Sequence, residues 1–421
     1  KKLKKLIFSL IFISSANAIT LQEAVNKALD NNKELLSYKQ QIQTAKLQLK
    51  VDETLYLPTI YTQVSQSFYN QTPMTKIPNF PVSFKQSNRE FLKFDVGFSQ
   101  YLYTGGLTQS KIQASKYNLK ATEALYKEKE NQLKAEVIKA YIDVFISKSL
   151  IDIYKKELEA VESIYKQQEG FFQQGIITKV DLLQSKVRLS EVKRDLQQAE
   201  GNYKIALSRL SQLVGEDVKD ENFEPVNIEV KDIPNLDTLI ETAYQKRKIL
   251  DFYKENINQA EKVIDIEKSA FLPKVFLQGD YIYTNQSPYL DPKGNFLLTI
   301  GASVEFQTTQ PYYKMLQAKS NAKKLRFDLQ DTKEKIKLEL KTAYENYITA
   351  KENYKVALES LEYAKEYFEL VKEQYANQLA TNTDLLNAES SLTRALESKE
   401  INYYNLLKSY IDIKKAVGED L

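Results

Sequence analysis

The chain has 421 residues, 59 basic against 56 acidic side chains, a formal net charge of +3, and neither Cys nor His. Disulfides, thiolate or imidazole metal sites, Ser-His-Asp triads and Cys-His dyads are therefore excluded. The balanced charge gives a nucleic-acid role no electrostatic support. No catalytic residue, cofactor or metal site is expected.

Residues 1–18 open with Lys1, Lys2, Lys4 and Lys5, continue with an apolar stretch from Leu6 to Ile13, and end in small residues at Ala16 and Ala18. This pattern predicts a secretory signal peptide cut after Ala18. The apolar stretch is far short of the roughly 20 residues that span a bilayer. No later run is long and apolar enough for a transmembrane helix. That leaves a periplasmic, extracellular or outer-membrane β-barrel protein.

The remaining sequence is one unit used twice. Residues 21–58 match 236–273 at a shift of 215, pairing Ala28 with Ala243, Tyr38 with Tyr253, and Leu57-Pro58 with Leu272-Pro273. Farther on the shift becomes 204, then 203, where Asp181-Leu182-Leu183 pairs with Asp384-Leu385-Leu386 and Val214-Gly215-Glu216-Asp217 with Val417-Gly418-Glu419-Asp420. The predicted organisation is a first repeat over 19–213, an acidic linker with Pro225 and Pro234 over 214–236, and a second repeat over 237–421.

Within the first repeat, 21–56 is rich in Ala, Leu, Lys, Glu and Gln, which predicts helix up to Pro58. Residues 59–70 and 91–104 alternate aromatic and β-branched with polar residues, which predicts strands. In the second repeat, 274–285 and 296–308 are the equivalents; Phe296, Leu298, Ile300 and Ala302 oppose Leu297, Thr299, Gly301 and Ser303. An apolar stripe opposite a polar one suits lipid on one side and water on the other; a soluble hairpin packed on a core is the alternative. The intervening segments 71–90 and 286–295 carry Pro and read as exposed loops.

The stretch 107–171 lacks Pro, and Val137, Val144, Ile151, Leu158 and Tyr165 recur every seven residues. It predicts one helix about 100 Å long that supercoils against neighbours. A turn follows at Gly175, then a helix from Lys179 to Val214; the second repeat gives 311–374 and 382–416. Four strands of bilayer-spanning length cannot close a barrel, so several chains must share one. Eight strands from two chains or twelve from three both satisfy the physics. The helices bracket each strand pair on the side away from its loops, which predicts a membrane barrel continuous with a helical tube.

In order along the chain, Thr20-Leu21-Gln22-Glu23-Ala24-Val25 with Asn31-Asn32, Leu57-Pro58, Tyr103-Thr104-Gly105-Gly106, Ala140-Tyr141, Gly175, Asp181-Leu182-Leu183 and Val214-Gly215 resemble the TolC-like outer membrane efflux proteins. The resemblance implies a mainly α channel-tunnel with a transmembrane β-barrel portion, twelve-stranded in a homotrimer. It implies a place in the bacterial outer membrane with the tunnel in the periplasm. It also implies docking to a periplasmic adaptor and an inner-membrane pump of RND or ABC type, as the passive exit duct of an efflux or type I secretion system for drugs, metals or proteins. Pro58, Pro273, Gly105 and Gly106 become helix–strand hinges, and Gly175 and Gln378 mark turns that contact the adaptor. Asp384 becomes a pore-gate acid, with Asn387 where some members carry a second. A family glycine is replaced by Gln378, a bracing arginine by Ala380, and Gly105-Gly106 by Thr309-Gln310. The rival expectation is a secreted coiled-coil stalk or adhesin.

Overall fold

The computed structural model describes residues 19–219, 223–305 and 309–421. The expected signal peptide and the end of the strand expected over 296–308 lie outside the described residues. Two compact units share the chain. One is built from residues up to Lys39, Leu125–Ile249 and Thr332–Leu421, the other from Gln40–Ala124 and Leu250–Asp331.

The element order repeats. α1 (Leu21–Asn31), α2 (Lys33–Glu53), β1 (Thr59–Phe68), β2 (Met74–Lys76), β3 (Ser83–Lys85), β4 (Glu90–Tyr103), α3 (Leu107–Gln173) and α4 (Lys179–Val214) are followed by α5 (Leu236–Lys246), α6 (Lys248–Lys268), β5 (Lys274–Thr284), β6 (Gly294–Ser303), α7 (Gln310–Ala376) and α8 (Asn382–Val417). α3 and α7 are 67 residues each, so each extends about 100 Å.

Two expectations need correction. The helix expected over 21–56 is broken at Asn32, which leaves the helical region at φ −62°, ψ 121°. Its side-chain oxygen accepts from Leu35 N at 3.1 Å and its amide donates to Leu213 O at 2.9 Å. Those local bonds compete with continued helix, and Arg247 makes the equivalent break between α5 and α6. The 71–90 loop is also not featureless, because β2 and β3 pair as a small antiparallel hairpin.

The sheet of the second unit runs β1-β4-β5-β6, every neighbouring pair antiparallel. β1 and β6 are edges. The register places Tyr61, Gly97 and Asp280 side by side across three strands. Gly97 is required there: a Cβ on it would lie 2.5 Å from Asp280 Oδ1 and 2.8 Å from Tyr61 Oη, the two groups that hydrogen-bond over it.

The first unit is cored by α3, α4, α1 and the distal half of α8, with Val137, Tyr141, Val144, Leu210 and Leu407 fully buried. Tyr141 Oη donates to Ile19 O and Glu224 O at 2.7 and 2.9 Å, and Phe223 stacks edge-on against Tyr141 and Phe145. The described part of the segment between α4 and α5 is thereby anchored to this core. Below Ile151 the buried stripe of α3 rotates: Leu158 and Tyr165 are only partly buried, while Glu157, Val161 and Gln168 turn inward.

Candidate functional site

The sheet separates two surfaces. On one lie Tyr61 and Gln63 of β1, Lys93, Asp95 and Ser99 of β4, Gln278 and Asp280 of β5, and Thr299 of β6. Gln278 Nε2 donates to Tyr61 Oη at 2.9 Å and to Asp280 Oδ2 at 3.0 Å. On the other face Ile60, Val64 and Phe68 of β1 and Phe296, Leu298 and Ile300 of β6 are 55 to 77% exposed. An apolar face this open, on a sheet whose two edges have no partner strand among the described residues, needs both an apolar medium and further strands. Among the described residues no helix is long and apolar enough to cross a membrane.

The four residues expected as hinges fall at strand–helix junctions. Pro58 and Pro273 each follow a single 3₁₀ turn, Thr54–Tyr56 and Ser269–Phe271, that ends the preceding helix. Gly105 has φ +66° and would place a Cβ 2.7 Å from that of Leu272, so it needs both the left-handed backbone and the absence of a side chain. Gly106 at φ +85° needs the backbone freedom alone, having nothing within 4 Å of its missing Cβ. Thr104 then starts α3, its Oγ1 accepting from Thr108 N at 3.1 Å. At the second junction Pro311 sits in the first turn of α7, where its missing amide costs nothing.

The two helical turns have the same geometry although one has lost its glycine. Gly175 takes φ +72° and Gln378 φ +60°. Each is held by the same pair of bonds, Gly175 N to Phe172 O and Ile176 N to Phe171 O in one, Gln378 N to Tyr375 O and Leu379 N to Gln374 O in the other. The turns lie together, sharing a cleft lined by Phe171, Ile176 and Asp181 from the first and Tyr375, Gln378 and Thr381 from the second.

Asp384 and Asn387 are both exposed and one helical turn apart near the start of α8. Asp384 closes a capping box: Thr381 N and Oγ1 donate to its Oδ2 at 2.9 and 2.6 Å, and its own amide donates to Thr381 Oγ1 at 3.2 Å. The Thr381 hydroxyl and then the Thr381 amide hold its carboxyl below the usual range. Thr178 and Asp181 repeat the box at the start of α4. Local geometry alone does not distinguish the two aspartates.

Two clusters were not anticipated from the sequence. Gln168 of α3, wholly buried, donates to Asn382 of α8 and accepts from Ser185 of α4; Asn382 Nδ2 also reaches Asp181 O at 3.0 Å. About one turn along α4 from Ser185, Arg188 pairs with Glu157 of α3 and reaches Glu389 of α8 at 3.4 Å. Glu157 lies one position before heptad residue Leu158 and Gln168 three after Tyr165, but the heptad itself pointed to Leu158 and Tyr165.

A family model described as outer membrane efflux protein matches residues 24–216 and 239–419, one match for each repeat. No curated protein sequence matches. Among solved structures, the Campylobacter jejuni CmeC outer membrane channel is similar at a TM-score of 0.82 and 21% identity, covering 94% of this chain and 85% of that one. The Vibrio cholerae outer membrane protein VceC is similar at 0.78 and 13%, covering 95% and 96%. The Neisseria gonorrhoeae MtrE outer membrane channel, in its open state, is similar at 0.78 and 17%, covering 95% and 89%. The duplicated TolC-like channel-tunnel fold is thus shared along nearly the whole chain.

Proposed function

Because the chain belongs to the outer membrane efflux protein family, an outer-membrane channel family, we propose that three copies of it form the passive exit duct of a tripartite efflux or type I secretion system. The carrying observation is the four-stranded sheet with one exposed apolar face, one polar face and two open edges. Lipid covers the first, water wets the second, and the edges of neighbouring copies close twelve strands into one barrel. Conduction through such a wall needs no catalysis from this chain. The reading of a secreted stalk or adhesin is not supported by the family match.

The tunnel meets a periplasmic adaptor at the turns around Gly175 and Gln378. An exposed apolar stripe beside them, Ile176, Val180, Leu183 and Val187, supports docking of an amphipathic partner helix. An inner-membrane pump, RND or ABC, supplies the energy. The three copies of Asp384, with the three of Asn387 one turn on, face the threefold axis, and the three aspartates narrow the pore and favour cations.

Purified protein should resist carbonate extraction from membranes, cross-link as a trimer, and give discrete conductance steps in planar bilayers. Release by carbonate or salt would overturn the reading.

A further inference from the structure

Glu157, Arg188 and Glu389 come from three helices, α3, α4 and α8, and their side chains are 2, 17 and 5% exposed. Two buried carboxylates share one guanidinium, so the ionised cluster carries an uncompensated negative charge with little water to solvate it. The surroundings add to the excess. α4 presents Asp195, and Glu191 at 3.5 Å from Arg188; α8 presents Glu397, whose charge Arg394 partly offsets. Tyr154 of α3 hydrogen-bonds Glu397. The neighbouring cleft also receives Asp152 and Lys156 of α3, whose charges offset one another, Glu400 of α8 and the uncharged Phe368 of α7, and Thr393 Oγ1 donates to Glu389 Oε1 at 3.2 Å. An excess charge in such a place is removed most simply by taking up a proton.

We infer that Glu157, Arg188 and Glu389 form a proton-binding tie that holds the first third of α8 against α3 and α4, tightening when protonated, so that the turn carrying Asp384 is freed as the pH rises. Burial first, and then the charge of Glu389, push the Glu157 carboxyl up to about 7 despite Arg188. Burial also raises Glu389. The packed form therefore binds a proton that an opened form gives up. A carboxyl raised above its free value of 4.5 gains stability as pH falls through the folded value near 7, and loses it as pH rises. Asp384, held below the usual range, does not titrate in that window. The tie is independent of the channel reading, but its effect on conduction rests on that reading.

Hydrogen exchange of residues 382–395 in the detergent-purified protein tests the tie, comparing wild type with Glu157→Gln at the same pH. The neutral amide mimics the protonated acid. From pH 6 to pH 8 opening of the wild type should become about tenfold more favourable, one unit of proton linkage, while opening of the variant should not change with pH and at pH 8 the variant should exchange more slowly. Equal exchange at pH 8, or faster exchange in the variant at both pH values, overturns the inference. Glu389→Gln removes the like charge from the other side and should flatten the same pH response; a response unchanged in that variant is equally fatal. In planar bilayers wild-type conductance should rise between pH 6 and 8 while Glu157→Gln stays at the pH 6 level. If neither protein forms channels, the channel reading falls and the exchange result alone decides the tie.

Discussion

Arg247 Nη1 donates to Ala416 O at 2.9 Å, and Asn32 Nδ2 makes the equivalent bond to Leu213 O at 2.9 Å in the other repeat. In each case the residue that breaks the helix pair satisfies a carbonyl in the last turn of the helix that closes the repeat. A left-handed glycine, Gly418 or Gly215, follows that turn and packs tightly on the break: a Cβ on Gly215 would lie 2.7 Å from Asn31 O. The Asn31-Asn32 and Val214-Gly215 motifs are thus two halves of one joint.

Arg247 has become more than a cap. It also pairs with Glu128 at 2.9 Å, both side chains 7% exposed, and with Glu339 at 2.9 Å. Arg247→Ala leaves the buried Glu128 without its cation and Glu339 with Lys415 alone at 3.2 Å, and should destabilise by about 3–5 kcal/mol, as breaking a buried pair does. The unfolding midpoint in detergent reads this. Burial works to raise Glu339, but the hydrogen bond from Arg247 wins and holds its carboxyl low. Its stabilisation is therefore present above the free carboxylate value and lost as pH falls through the folded one. In the variant that loss should begin at higher pH.

The strand alternation and the proline and glycine stops were legible because each is a local property of consecutive residues, and the duplication because one stretch of sequence can be matched directly to another. So was the Gly175 turn. The break at Asn32 was hidden, since its neighbours favour helix and the deciding partner, Leu213, lies 181 positions away. The inward rotation of α3 below Ile151 was hidden for the same reason: which residues face the core there depends on α4, α7 and α8, as in the pairing of Glu157 with Arg188 and the packing of Ile164 against the cluster of Val371, Leu385 and Ala388. Glu157 and Gln168 are read as surface residues by periodicity and are core residues by tertiary contact. The Asp384 position was legible as a helix start, and its shared geometry with Asp181 leaves only the assembly to separate their roles.

Gln378 holds a left-handed backbone that Gly175 adopts without a Cβ clash. Gln378→Gly should therefore stabilise the turn by roughly 1 kcal/mol, and Gly175→Ala should destabilise its counterpart by a similar amount. Proteolytic nicking at the two turns reads both effects. A Gln378→Gly protein cut faster than wild type would contradict the conformational account.

Ile300, 72% exposed, and Thr299 are adjacent in β6 and point to opposite faces of the sheet. Ile300→Arg should cost about 2–4 kcal/mol in membrane folding if that face meets hydrocarbon near mid-depth, whereas Thr299→Arg on the wet face should cost much less. Urea titration of folding into vesicles compares them. Equal costs would place the sheet outside a bilayer.

Asp384 and Asp181 provide a paired test of the constriction. Both close the same capping box on a threonine three residues earlier, so Asp384→Ala and Asp181→Ala remove the same helix-start interaction and share its structural consequence. Only Asp384 is proposed to line the pore. Asp384→Ala should raise single-channel conductance or weaken block by divalent cations in planar bilayers, while Asp181→Ala leaves both unchanged. Identical behaviour of the two variants would reduce Asp384 to a helix cap. A shift in Asp181→Ala alone would move the constriction to the first repeat. Because each carboxylate ring carries a single acid per copy, with Asn387 one turn on, raising ionic strength should shrink the Asp384 effect by screening.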